Sequence, residues 1–386
     1  MTGAHEVAPR SPVLDVDALL DDRSVRVVVC TGAGGVGKTT TAAALALRAA
    51  ERGRSVVVLT IDPARRLAQS LGLTELDNDP RPVAGVEGSG SLAAMMLDMK
   101  RTFDEFVEAN ADQDRAATIL ANPFYQSLSS SFAGTQEYMA MEKLGQLRRR
   151  AGSDWDLIVV DTPPSRSALD FLDAPRRLGS FLDGRFIRLL AAPAKAGGKA
   201  YLRVISAGFG MFTSVLSKLI GAQVLTDVQT FVGSVDTLFG GFRERAEETY
   251  AMLQAPDTRF VVVAAPERDA LREASYFVDR LEADAMPLAG LVLNRVATTG
   301  APDLDAATAV AAADRLEQQG GRPPVTAALL RIHADRVATL QRQRRLADRF
   351  TSAHRGVEVA VVPALARDVV DLEDLRAVGD HLASRA

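Results

Sequence analysis

Residues Val25 to Ala44 read VRVVVCTGAGGVGKTTTAAA, and the reading of this stretch decides the fold. Gly32 to Thr39 satisfy G-x-x-x-x-G-K-[ST], the spacing of a phosphate-binding loop. Val27, Val28 and Val29 form a β-branched run of the kind a buried strand needs. Thr40 to Arg52 is rich in Ala and Leu and stops at Gly53, as a helix with a C-terminal glycine does. Glycines at Gly32, Gly34, Gly35 and Gly37 let the backbone wrap a triphosphate with several N–H groups pointing inward, and the helix N-terminus adds partial positive charge. In that arrangement Lys38 reaches the β- and γ-phosphates and the Thr39 hydroxyl ligates Mg²⁺, so the expected ligand is a nucleotide such as ATP.

Outward from that loop, apolar strands recur at Arg54–Ile61, Leu92–Leu97, Asp156–Val160, Arg259–Ala265, Leu288–Leu293 and Val357–Val362. Near-continuous apolar strands alternating with helices imply an α/β fold, a mostly parallel sheet covered by helices on both faces. Residues 98–150 and 172–256 lack convincing strands and read as an inserted helical subdomain. The ATPase domain is then 25–97 with 151–171 and 257–386, and residues 1–24 read as a mobile tail with about one helical turn. Asp303 to Phe350 is a charged helical stretch broken at Gly320-Gly321 and Pro323-Pro324.

The chain has 386 residues and a net charge of −4, which argues against a nonspecific nucleic-acid or anionic-membrane surface. The start lacks the apolar core of a signal peptide and no uncharged apolar stretch is suited to span a bilayer, so a soluble, cytoplasmic protein is expected. Cys30 is the single cysteine, which rules out a disulfide or a Cys-x-x-Cys metal site within one chain.

Hydrolysis asks for more than a cradle: an acid near the metal, a group acting on water, and positive charge for the transition state. Asp161 closes the strand DLIVVD and is placed to face the Mg²⁺ shell, with Thr162-Pro163-Pro164-Ser165 following as a switch loop. Asp62 ends the strand after the loop helix. It can act on the attacking water or cap the helix that begins near Ala64, and the residues alone leave these two roles even.

The ordered segments GAGGVGKTT, DPARRLAQSL, GTQEYMAMEKL, DTPPSRSALDFL, FRERAEETYAML, PERDALREASYFVDRL and LVLNRV resemble the ArsA-type anion-transporting ATPases and their tail-anchored-protein-targeting relatives. The resemblance runs from about Val25 to the final helix. It implies that Gly32, Gly34, Gly35, Val36, Gly37, Lys38, Thr39 and Thr40 hold the phosphates and that Asp62 is the switch I aspartate acting on water. It also implies that Asp62 and Asp161 join Thr39 around Mg²⁺, that Asn294 reads adenine, and that the loop starting at Pro363 flanks the base. Glu267 matches a family Pro-Glu pair.

Departures from the family pattern carry equal weight. Relatives place a second lysine five residues before the loop lysine, where it reaches a partner subunit's phosphates; here that residue is Ala33. Cations given in trans are worth roughly 10³ to 10⁵ in rate. Three outcomes follow: a slow ATPase, substitution by Arg65, Arg66 or Arg166, or a heterodimer with a paralogous subunit that supplies the lysine. The third is preferred over a homodimer. Arsenite handling through thiolates is disfavoured by the lone Cys30. Phe209, Phe212, Leu216 and Ile220 share one helical face, and Met95, Met96, Met99, Met139, Met141 and Met211 could add a methionine surface for a hydrophobic client, although core packing is the commoner use of such stripes. The expected function is an ATPase cycle acting on a client or membrane partner, with the alternative of a targeting or chaperone-like factor that binds hydrophobic helices. Positioning on DNA or membrane is disfavoured by the acidic, mixed C-terminus.

Overall fold

The computed structural model describes residues 12–61, 66–123, 125–126, 129, 135–150, 154–163, 247–318 and 324–384. Its strands are β1 (Val27–Gly32), β2 (Ser55–Thr60), β3 (Arg81–Pro82), β4 (Ser91–Met96), β5 (Leu157–Asp161), β6 (Thr258–Ala264), β7 (Leu288–Val296) and β8 (Val359–Pro363). They form one sheet in the order β3-β4-β2-β5-β1-β6-β7-β8. The pairs from β2 through β8 are parallel, and β3 against β4 is antiparallel. Among the described residues, the helices are α1 (Val16–Asp21), α2 (Lys38–Glu51), α3 (Arg66–Ser70), α4 (Met99–Asn110), α5 (Gln113–Leu120), α6 (Thr135–Arg150), α7 (Arg268–Ala283), α8 (Ala306–Gln318), α9 (Pro324–Ala353) and α10 (Leu372–Ala383).

Residue chemistry accounts for the central layer. β1 and β5 are buried along their whole length, which is why both read as unbroken apolar runs. In α2 the buried side chains are mostly alanines, so the helix axis can approach the sheet closely, while Arg48 on its outer side pairs with Asp17 of α1 and Asp380 of α10. The charged stretch after β7 contains α8, described to Gln318, and α9, described from Pro324; the Gly-Gly pair expected to break it lies outside the described residues.

One expectation needs correction. The segment before residue 25 is not simply a tail: Val13 bridges Val359 in parallel, and Leu14, Val16 and Leu20 are buried against the sheet unit. The helical turn expected there is α1, and the Asp15 side chain caps it by accepting from Ala18 N–H. Of the methionines considered as a client surface, Met95, Met139 and Met141 are core residues, whereas Met96 and Met99 are half-buried. Met211 and the stripe from Phe209 to Ile220 lie outside the described residues.

The chain divides into two compact units, Met1–Met95 with Ala151–Ser165 and Leu253–Ala386, and Met96–Arg150 with Arg166–Met252. The second unit contains α4, α5 and α6. Within it the Phe103 and Tyr125 rings lie 5.2 Å apart, the Tyr125 hydroxyl donates to Asp104 at 2.6 Å, and Lys143 pairs with Glu105. No helix among the described residues is long and apolar enough to cross a membrane.

Candidate functional site

The sheet topology fixes where a ligand can sit. From β1 the chain passes through α2 toward β2 on one side, whereas from β6 it passes through α7 toward β7 on the other. Adjacent β1 and β6 therefore have connections leaving in opposite directions, which opens a crevice at their carboxyl ends. The glycine loop fills the β1 side of that crevice.

Glycine is required in this loop for steric reasons. Gly32 has φ 148°, and a Cβ there would lie 2.0 Å from the Val263 carbonyl oxygen of β6. Gly37 is left-handed, with φ 95°, and its Cβ would meet Asn294 Nδ2 at 2.3 Å. Gly35, with φ 76°, faces open space and is exposed, as is Gly34. Gly37 is the N-cap of α2 and makes no side-chain cap, and the first turn of the helix holds no acidic residue. The initial N–H groups of a 14-residue helix thus lie at the loop with no carboxylate competing for them, the arrangement that suits an anion.

Lys38 is buried, and its ammonium donates to the Ala33 carbonyl at 2.8 Å, crossing the loop it belongs to. Ala33, standing where relatives are expected to carry a lysine, contributes a backbone acceptor and no charge. Val36 is buried, while Thr39 and Thr40 in the first turn of α2 are half-buried.

One strand over, Asp161 is wholly buried at the end of β5, opposite Cys30 of β1, and its Oδ2 accepts from the Thr60 hydroxyl of β2 at 2.9 Å. Thr162 follows and is buried; its hydroxyl donates to the Cys30 carbonyl at 2.9 Å. The ends of β2, β5 and β1 are in this way stitched together immediately before the glycine loop. Burial, with the Asp161 charge beside it, pushes the Cys30 thiol far up and keeps it inert. Thr60 escaped the sequence reading, and Thr162 was read only as the start of the switch loop; the one visible signal of either bond is a hydroxyl residue at the end of an apolar strand.

Asn294 and Pro363 come from the other side of the crevice. Asn294 Nδ2 donates to the Val36 carbonyl at 2.9 Å, so this residue does reach the glycine loop. Val296 pairs with Pro363, which places the β8 loop beside the end of β7. That loop is exposed from Ala364 to Asp368 and is held by Asp374, which accepts from Val370 N–H and from Arg367 at 2.6 Å. The backbone bond from Val370, then the Arg367 guanidinium, keep the Asp374 carboxyl below its ordinary range. Glu267 is the exposed N-cap of α7 without a side-chain cap bond. Asp62, Arg65 and Arg166 lie outside the described residues, as does the side chain of Arg66; Ile61, one residue before Asp62, donates its N–H to the Asp161 carbonyl.

The residues present fit a magnesium nucleotide. The glycine cradle rejects a Cβ at two points, the helix end has no acidic neighbour, and Thr39 and Asp161 are oxygen donors of the type hard cations take. Among the described residues no cluster of three His, Cys, Asp or Glu could hold a metal by itself. A separate cavity of about 350 Å³ under α9, lined by Leu293, Val361, Leu340 and Phe350 among others, is apolar and holds none of the phosphate-loop residues.

The comparisons with known proteins agree with this geometry. The model of the anion-transporting ATPase family matches residues 25–318. Among curated proteins, the chain is 27% identical to the ATPase get3 of Schizosaccharomyces pombe over 282 residues, covering 73% of this chain and 76% of that protein. It is 28% identical to the ATPase GET3 of Ajellomyces dermatitidis over 73% of this chain and 76% of the relative. Against the ATPase GET3 of Malassezia globosa it is also 28% identical, over 55% of this chain and 61% of the relative.

Proposed function

The chain belongs to the anion-transporting ATPase family, and from that premise we propose that its ATP cycle governs the grip on a hydrophobic helical client, in the manner of a targeting or chaperone-like factor. Family and relatives alike make it an ATP-hydrolysing enzyme. The observation that carries the placement of ATP is the meeting of an uncapped α2 terminus, glycines tolerating no side chain, and the Thr60–Asp161 pair at one end of the sheet. Targeting is preferred to anion transport because the curated relatives matched are ATPase GET3 proteins and the motifs resemble the tail-anchored-protein-targeting group.

In this reading the phosphates lie along Gly32 to Thr40, and the Lys38 ammonium exchanges the Ala33 carbonyl for phosphate oxygens. Thr39 and Asp161, with Asp62, hold Mg²⁺, which when bound neutralises charge on the terminal phosphates. A carboxylate oxygen of Asp62 orients the attacking water and takes its proton. Cleavage is felt at Thr162, because its hydroxyl ties the start of switch II to the strand that enters the phosphate loop. The protein works in the cytoplasm as a dimer, and the missing charge at Ala33 favours a paralogous partner whose lysine completes this site.

The test uses the full chain with a hydrophobic transmembrane peptide presented from detergent. Capture that depends on nucleotide state is expected. Co-purification with an integral membrane protein, together with indifference to the peptide, would favour the transport reading instead. Brisk turnover by isolated monomer, independent of concentration, would remove the need for a partner lysine.

A further inference from the structure

Where β7 runs beside β8 the register slips: Leu293 pairs with Val361 and Val296 with Pro363, so Asn294 and Arg295 together oppose one residue. This is a β-bulge, a device that re-aims a side chain. Arg295 takes the left-handed backbone, φ 60°, which a non-glycine residue adopts only when the surroundings enforce it. Its N–H donates to Asn294 Oδ1 at 2.9 Å, while Asn294 Nδ2 donates to the Val36 carbonyl inside the glycine loop at 2.9 Å. The amide is therefore fixed at both its oxygen and its nitrogen. It also sits where a Cβ on Gly37 would have to be, 2.3 Å from Nδ2.

We infer that Asn294 is a positioning residue for the phosphate loop: held by the bulge at Arg295, its amide fixes the Val36 carbonyl and thereby the direction of the backbone N–H groups that receive phosphate. The inference rests on the ATP-site reading and adds to it. A residue that only reads adenine would matter to the base; a brace on Val36 matters to the phosphates even when no base is attached. An amide has two N–H groups and two oxygen lone pairs, so one of each remains for a base edge after both bonds are made. The two roles can coexist in one side chain.

Magnesium tripolyphosphate, which has phosphates and no base, separates them. Titrated into the full chain by calorimetry, Asn294→Ala is expected to weaken both ATP and tripolyphosphate by about five- to tenfold, the effect of one hydrogen bond. Asn294→Asp keeps the acceptor for Arg295 N–H but turns an oxygen toward the Val36 carbonyl, so at neutral pH it loses at least as much. Its deficit against wild type is expected to shrink as pH falls toward about 4, where the carboxyl regains a proton to donate. A merely structural lesion has no such pH signature, and melting curves of both variants check that the fold is intact. Tripolyphosphate affinity at the wild-type level in both variants overturns the inference while leaving the ATP site standing. Failure of the wild-type chain to bind either ligand overturns the ATP-site reading and the inference with it.

Discussion

At the amino end of the sheet the Arg54 guanidinium is 1% exposed and spends all five of its N–H donors: on the Asp156 carboxylate and on the carbonyls of Leu20, Asp22, Val25 and Asp156. At the carboxyl end of the same strands, Lys38 is also buried, and its ammonium donates to the Ala33 carbonyl inside a loop of left-handed glycines. Both are cations withdrawn from water. One is locked by side chain and backbone acceptors from several elements, and the other donates within its own loop to a carbonyl that phosphate oxygens would replace in the proposed cycle. The difference teaches how one sheet divides its labour: the amino end fixes the strands, and the carboxyl end holds groups that must exchange partners.

If that division is right, substitutions at the carboxyl end change turnover and spare stability, and those at the amino end do the reverse. The largest effect is expected for Lys38→Met, which should lower kcat by about 10² to 10³ with little change in melting temperature, since it removes charge stabilisation needed in the transition state. Steady-state kinetics beside a thermal melt decide the matter, and a large loss of stability would break the comparison. Next, Arg54→Met leaves buried acceptors without their donor and should destabilise by about 3 kcal/mol in denaturant titration, with turnover of the folded fraction unchanged. Thr162→Val tests the border between the two behaviours. Removing its bond to the Cys30 carbonyl is expected to cost about 1 kcal/mol and to slow turnover several-fold, because the bond belongs both to the sheet and to the switch.

The smallest effect concerns the loop after β8. Asp374 has its carboxyl held below the unfolded value by Val370 N–H and Arg367. The stability it adds is thus present above about pH 4 and is lost as pH falls further, through the lower folded value. Asp374→Asn should flatten that acid limb slightly and raise KM for ATP about twofold at pH 7, an increment near the weak end for exposed pairs. An unchanged acid limb would detach Asp374 from the loop.

Much of this was legible in the chain. Val27 to Val29, Leu157 to Val160 and Val261 to Val263 announce buried parallel strands because a strand covered on both faces has no polar side to alternate with. The loop from Gly32 to Thr39 is legible for a different reason: its spacing is dictated locally, by backbone that must curl around phosphate. The fold class follows from these two facts and is the one observed. Helix α1 was legible only as about one turn in a tail; that Val16 and Leu20 are buried against other elements was not, because nothing local to the sequence says what they pack on. Strand β3, two residues long, owes its existence to pairing with β4.

The sequence by itself determined that a glycine cradle joins a buried strand to a helix, and that Asp161 closes another strand of the same kind. Those are statements about neighbours along the chain, where spacing and side-chain type suffice. Tertiary structure alone decided that Asn294, 258 positions from Val36, braces that cradle. It also decided that Thr60 holds Asp161 and that Arg54 gathers four carbonyls. Such partners are chosen by strand order and by a one-residue slip in register, and neither leaves a periodic trace in the residues that it brings together.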